Sequence, residues 1–287
     1  DVMIEAGSYR VDSMVDVCND KAGLNALETL QQVLREYADR IDLRLAAYSP
    51  LGNKKNDNDS WALLETGAEK ADFIGLLPEA DDVDDYPDHI GFYEHCRRGL
   101  LLGQRLNKMV HVHTDQRVLP GEDGTEVLVK AVREFGAPKL ESGEPAIWAV
   151  HAISPTTYSE DRFVKLAHDL SELNIGIISC PSAALGMRQI RSKLTPTDNS
   201  IPRVLDLLHM GVKVRIGSDN IADICSPSTT ADLMDEIMFL AAALRFYNPG
   251  ILAKLAAGYE LDANEVDFLG EHLKKNRTEA SKFKRFF

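Results

Sequence analysis

Cysteine is scarce in this chain. Four residues in 287, at positions 18, 96, 180 and 225 with no C-x-x-C spacing, read as reduced core or loop thiols and not as a disulfide framework or a sulfur-ligated zinc site. Basic charge is also in short supply. With 32 Lys and Arg against 45 Asp and Glu, the formal charge of −13 speaks against nucleic acid as a partner, because phosphate recognition needs concentrated cations. No apolar run approaches the roughly 18 residues a spanning helix requires, so no membrane partner is expected. The first residues lack the basic and apolar stretches of a secretory signal, which makes a cytoplasmic setting the expectation. No low-complexity linker divides the chain. The expected partner is a small-molecule substrate, and a homo-oligomer is left open.

What is present is a rhythm in which short β-branched runs alternate with longer amphipathic ones up to about residue 247, the pattern of parallel βαβ units. Strands are expected at 10–17, 42–48, 72–77, 109–113, 147–151, 175–179 and 213–217. Helices are expected near 22–39, 59–69, 87–107, 124–136, 159–173, 200–210 and 229–247. An all-parallel sheet with helical crossovers either closes as a barrel or stays open and doubly wound, and both bind ligands at the strand C-termini. The expected fold is α/β, a TIM-type (β/α) barrel with seven of its eight strands visible. The opening Asp1-Val-Met-Ile-Glu-Ala-Gly7 reads as a helix tail with a glycine stop, so an eighth strand is expected to precede residue 1. Residues 1–257 then form the barrel domain and 258–287 a C-terminal helical tail, a surface helix or frayed terminus with a basic, partly aromatic ending.

Three of these strands end in groups that can bind metal. Met109-Val-His-Val-His-Thr-Asp-Gln116 puts His111 and His113 on one strand face, since side chains alternate. Ala146-Ile-Trp-Ala-Val-His151 and Val212-Lys-Val-Arg-Ile-Gly-Ser-Asp219-Asn220 have the same form. Taken singly, each histidine is an ordinary hydrogen-bonded residue and Gly-Ser-Asp-Asn an ordinary turn. Repetition at three strand ends instead points to His113, His151 and Asp219 as ligands of a divalent metal, zinc or iron. His111, one step deeper, is either a supporting neighbour of the ligands or core packing. Asp16 either lines the same mouth or caps a loop. The acidic run Glu79-Ala-Asp-Asp-Val-Asp-Asp85 reads as a solvated loop, with a mouth for a cationic substrate as the alternative.

These motifs resemble the amidohydrolase superfamily, and within it the cytosine deaminase group. Val-His-Val-His113-Thr-Asp-Gln116 is similar to the family's fifth strand, Ala-Val-His151 to its sixth, and Gly217-Ser-Asp219-Asn220 to the turn after its eighth. The segment Ile-Ser-Cys180-Pro-Ser-Ala-Ala-Leu-Gly-Met-Arg188 resembles the loop after strand seven. The resemblance runs from about residue 1 to 257. It implies that Asp219 both binds metal and takes a proton from the attacking water. Two departures stand out: nothing before Arg10 contains the first-strand His-x-His pair of metal ligands, and Gln116 occupies a place where cytosine deaminases resemble one another in carrying a Glu. An amide can hydrogen-bond a substrate but cannot transfer a proton at neutral pH.

The expected chemistry is attack by metal-bound hydroxide on a carbon bearing nitrogen in a small cyclic amide, amine or nucleobase-like substrate, with Asp219 as base and then acid. Gln116 and Asn220, with Asp16, are the expected substrate contacts, and Asp115 or Asn220 the acceptor behind a metal-bound histidine. Loops 78–85, 154–158 and 182–188 are expected to shape the pocket. A rival parsing makes His111 and His113 a first-strand pair, but leaves too few strands downstream for a barrel. A non-catalytic barrel that binds a small ligand or a partner subunit is the alternative function.

Overall fold

The computed structural model describes residues 1–186 and 200–283. Its frame is a seven-stranded, all-parallel sheet in sequential order: β1 (Arg10–Asp16), β2 (Asp42–Tyr48), β3 (Phe73–Leu76), β4 (Val110–Thr114), β5 (Ile147–His151), β6 (Ile175–Ser179) and β7 (Val214–Ile216). Sequential parallel order with helical crossovers is the topology of a (β/α) barrel. The sheet curls accordingly. Tyr9, just ahead of β1, donates its hydroxyl to the carbonyl of Ala257 (3.1 Å). Arg215 of β7 donates to Gly258 and reaches Glu144. No ladder joins β1 to β7 among the described residues, so the curl is open at that seam.

Around the sheet lie α1 (Val2–Glu5), α2 (Asn25–Tyr37), α3 (Asn58–Lys70), α4 (Phe92–Leu106), α5 (Gly124–Phe135), α6 (Glu160–Glu172), α7 (Pro181–Gly186), α8 (Val204–His209), α9 (Leu233–Leu244), α10 (Pro249–Ala256) and α11 (Ala263–Phe283). Their boundaries have local causes. The Asp57 carboxylate accepts from Asp59 N–H (2.9 Å) at the start of α3, and Asn248 caps α10 ahead of Pro249. Asn107, left-handed at φ 51°, stops α4. The helix expected from residue 87 starts only at Phe92, because 87–91 forms a turn led by Pro87 and Gly91.

The helix-facing side of the strands is dry. Val110, Val112, Ile147, Ala149, Ile175 and Ile177 are buried together with Leu100, Leu128, Leu166 and Leu170 from the helices. Gly99 of α4 lets that helix settle onto β3, since a methyl there would meet Leu76 at 2.1 Å. On the inner side, Trp148 fills the space left by Gly176 on β6, where a Cβ would sit 2.4 Å from the indole. The tail is docked: Leu269 of α11 is fully buried, Phe246 meets His272 at 5.1 Å, and Arg277 reaches Asp206. Among the described residues, no helix is long and apolar enough to cross a membrane. All four cysteines are free thiols, as expected.

Candidate active site

The polar groups gather where a barrel places them, at the C-terminal ends of the strands. His113, at the end of β4, donates Nδ1–H to the carbonyl of Leu76 at the end of β3 (3.0 Å). A carbonyl can only accept, so this bond fixes the tautomer and leaves the Nε2 lone pair free. Burial, then the neighbouring His151, holds its pKa down at about 3, so the ring is neutral. Tyr48, closing β2, lies against it with ring centroids 5.2 Å apart.

His151 reaches the same place by breaking the alternation of its strand. It pairs with Thr114, so regular geometry would aim it at the helices beside Ile147 and Ala149. Its φ of +73°, followed by +47° at Ala152, turns the ring inward, to 5.4 Å from the His113 ring centroid. A non-glycine residue in this region costs on the order of 1–3 kcal/mol. Asp115 and Asp219, both at φ +60°, share the strain. Asp219 Oδ2 stands 3.8 Å from His151 Nε2, and among the described residues His151 Nδ1 is buried without a hydrogen-bond partner. Burial lowers the His151 pKa despite that carboxylate.

The expected metal set is therefore brought together: two neutral imidazoles and a carboxylate, one imidazole locked with Nε2 open and the other carrying an orphaned buried nitrogen. The donor set fits zinc or iron. The three are not drawn tight. Among the described residues, the group whose donor atoms all lie within 4.8 Å of one another is His168, Asp169 and Glu172, on the outer side of α6.

Around this trio the structure adds residues that spacing did not single out. The hydroxyl of Tyr48 is held protonated by burial first, and then by the charges of Asp16, Asp219 and Glu79. Asp16, the last residue of β1, is itself pushed up by partial burial. Behind Asp219, the Cys180 thiol is buried and raised well above its ordinary value, and fully buried Glu236 of α9 accepts from the Ser182 N–H at 2.8 Å. Asn220 is exposed at the rim, and its carbonyl accepts from Thr229.

Three expectations need correction. Asp115 does not stand behind a metal ligand: its oxygens accept from Gly124 N–H (2.7 Å) and Thr125 N–H (2.9 Å), capping α5, while its carbonyl holds Ile153 and Ser154. His111 packs between Phe73 (4.6 Å) and Trp148 (6.5 Å), the core reading of that residue. The acidic run is not a solvated loop throughout. Asp81 is fully buried against Asn53, His89 and His95, and Glu79 is half-buried on Gln116. The run's Pro78 start and its position directly after a strand were the available signals. Residues 187 and 188 of the expected pocket loop fall outside the described residues.

No protein-family model matches the chain. A protein of Haemophilus influenzae described as uncharacterized is 28% identical over 213 residues, 71% of each chain. Among solved structures, 5-methylcytosine deaminase from Klebsiella pneumoniae liganded with 5-fluorocytosine superposes with a TM-score of 0.76 at 23% identity, over 90% of this chain and 60% of that one. N-isopropylammelide isopropylaminohydrolase from Burkholderia multivorans gives 0.71 at 19% identity, over 90% and 59%. Atrazine chlorohydrolase from Arthrobacter aurescens, complexed with zinc, gives 0.55 at 12%, over 92% and 55%. These neighbours are amidohydrolase superfamily members, and the chain has their barrel fold. It spans about 60% of the length of the deaminase structure.

Proposed function

We propose that this chain is a metal-dependent hydrolase of non-peptide carbon–nitrogen bonds in a small cyclic amide, amine or nucleobase-like substrate. The observation that carries this reading is the strained inward turn of His151, which places its ring beside His113 and Asp219 at the rim of β4, β5 and β7. Strain at a functional rim is retained where the geometry it creates is used. The fold neighbours that act on such substrates support the reading.

His113, His151 and Asp219 would hold zinc or iron, which when bound supplies a water acidic enough to attack at neutral pH. Asp219, beside His151 and partly open to the mouth, takes a proton from the attacking water and passes it to the leaving nitrogen. Tyr48 walls the site over His113 and excludes water from that side. Gln116 orients the substrate through its amide, and Asp16 and Asn220 line the opening.

Ligand binding without turnover is the second reading, on one feature: β1, which ends in Asp16, presents no imidazole beside His113, His151 and Asp219. Three donors plus water still make a catalytic site. The deciding assay is ammonia or amine release by zinc- or iron-loaded protein from cytosine, 5-methylcytosine and N-isopropylammelide. Release that depends on metal supports the enzyme, and tight binding of one of these compounds with no release supports the binder.

A further inference from the structure

One titratable group at the rim has no part in the scheme above. Glu79 is the second residue of the 3-10 turn Pro78–Asp81, directly after β3. Its oxygens accept from the Gln116 main-chain N–H (3.2 Å) and the Gln116 side-chain NH2 (2.8 Å). Both donors are neutral. The charges facing it from the packed elements are mostly of its own sign: Glu122, ahead of α5, and Asp115, at the end of β4. Arg117 also feels Glu79, but its guanidinium is engaged with Asp85 and Glu122. Tyr48, the residue that lies on His113, feels the Glu79 charge.

The turn that presents Glu79 is fixed from below. Asp81, two residues on, accepts from Asn53 N–H (2.5 Å) and side-chain NH2 (3.2 Å) and lies against His89 Nδ1 (2.9 Å) and His95 Nδ1 (2.6 Å). The Glu79 carboxyl is therefore held by a fixed turn and an amide clamp, at the rim, and among the described residues it has no cation of its own. Burial first, then the charge of Glu122, push it up to about 8, so it carries its proton at pH 7.

We propose that Glu79 is the proton donor to a substrate nitrogen, with Gln116 as the residue that positions its carboxyl. This rests on the hydrolase reading. For a substrate carbon flanked by a ring nitrogen and an amine, the O–H bond of Glu79 breaks as an N–H bond forms on the ring nitrogen, while water oxygen bonds to the carbon. One water proton passes through Asp219 to the departing amine. The second, shed as the carbonyl forms, restores Glu79, so protons balance over the cycle.

The test uses the full chain loaded with zinc. Spectra of protein labelled with 13C at the Glu carboxyls are expected to show one carboxyl titrating near pH 8, lost in Glu79→Gln and displaced in Gln116→Ala. With cytosine, 5-methylcytosine and N-isopropylammelide as probes, Glu79→Gln is expected to lower kcat about 100-fold with little change in KM, and Glu79→Asp to restore part of it. Titration of every Glu carboxyl at ordinary values near 4.3 overturns the proposal. So does a Glu79→Gln variant that keeps kcat within about threefold of the original. If the unaltered protein releases nothing from any probe, the hydrolase reading fails, and the carboxyl titration alone still decides whether Glu79 carries the proton.

Discussion

The rim trio and a cluster on the outside of α6 both mix histidine with acid, and they differ in nearly every physical respect. On the outside of α6, His168, Asp169 and Glu172 bring their donor atoms within 4.8 Å of one another. That closeness follows from helical spacing, which makes residues three and four apart neighbours. Its carboxylates are already engaged, Asp169 and Glu172 with Arg133 (2.7 Å each) and Asp169 with Lys165 (3.0 Å). The rim trio is looser, yet it is assembled from the ends of β4, β5 and β7, aimed by left-handed backbone at His151 and Asp219, and contains a buried nitrogen with no partner among the described residues. A short distance on a helix surface costs nothing to arrange. Strain, burial and an unmet polar group must be stabilised by the rest of the fold, and that is the mark of a site.

The comparison is broken most directly by removing the rim carboxylate. Asp219→Asn is expected to lower any hydrolase activity at least about 100-fold, the range for loss of a positioned acid–base group, with an unchanged circular dichroism spectrum. The matching Asp169→Asn on α6 is expected to leave turnover unaltered. Equal losses in the two variants would erase the distinction.

A second difference is how the rim is supported. Asp115→Ala removes two bonds from buried N–H groups at the start of α5 and is expected to destabilise the fold by about 3 kcal/mol, read from urea midpoints. A loss as small as that from a surface residue would show that α5 is capped by other means.

Acid should separate the regions further. His111 is buried between aromatic rings and its pKa is lowered to about 4 by burial, against the charge of Asp12, which raises it, and with that of Arg10, which lowers it further. The unfolded chain binds a proton near pH 6.5 and the folded one near 4, so stability present above 6.5 is lost as pH falls through that window. Between pH 7 and 5 the expected loss from this residue is about 2 kcal/mol. His111→Phe should flatten the decline in urea midpoint over that range, and an unaltered slope would contradict the assignment. The smallest effect belongs to the outer cluster, where Lys165→Ala should change stability by less than about 1 kcal/mol.

Much of this was legible in the residues. Strands β2, β5 and β6 match the expected 42–48, 147–151 and 175–179, because apolar runs between turn signals leave little freedom in a parallel sheet. The groups His113, His151 and Asp219 were legible for the same reason, as polar residues ending apolar strands. What spacing could not supply was direction. Period-two alternation would send His151 to the helices, and only its backbone angle brings it inward. The contact of Glu79 with Gln116 spans 37 residues and depends on how the turn after β3 folds over β4, which no local pattern encodes. The Asp115 cap was hidden by its position two residues from a candidate ligand, where proximity in sequence suggested the wrong partner.

The central claim is tested most directly by counting metal. Zinc titrated into the protein, into His113→Ala/His151→Ala and into His168→Ala/Glu172→Ala, followed by gel filtration and elemental analysis, should show about one tightly held equivalent in the first and third and none in the second. Retention by the rim double variant together with loss from the α6 variant would contradict the account.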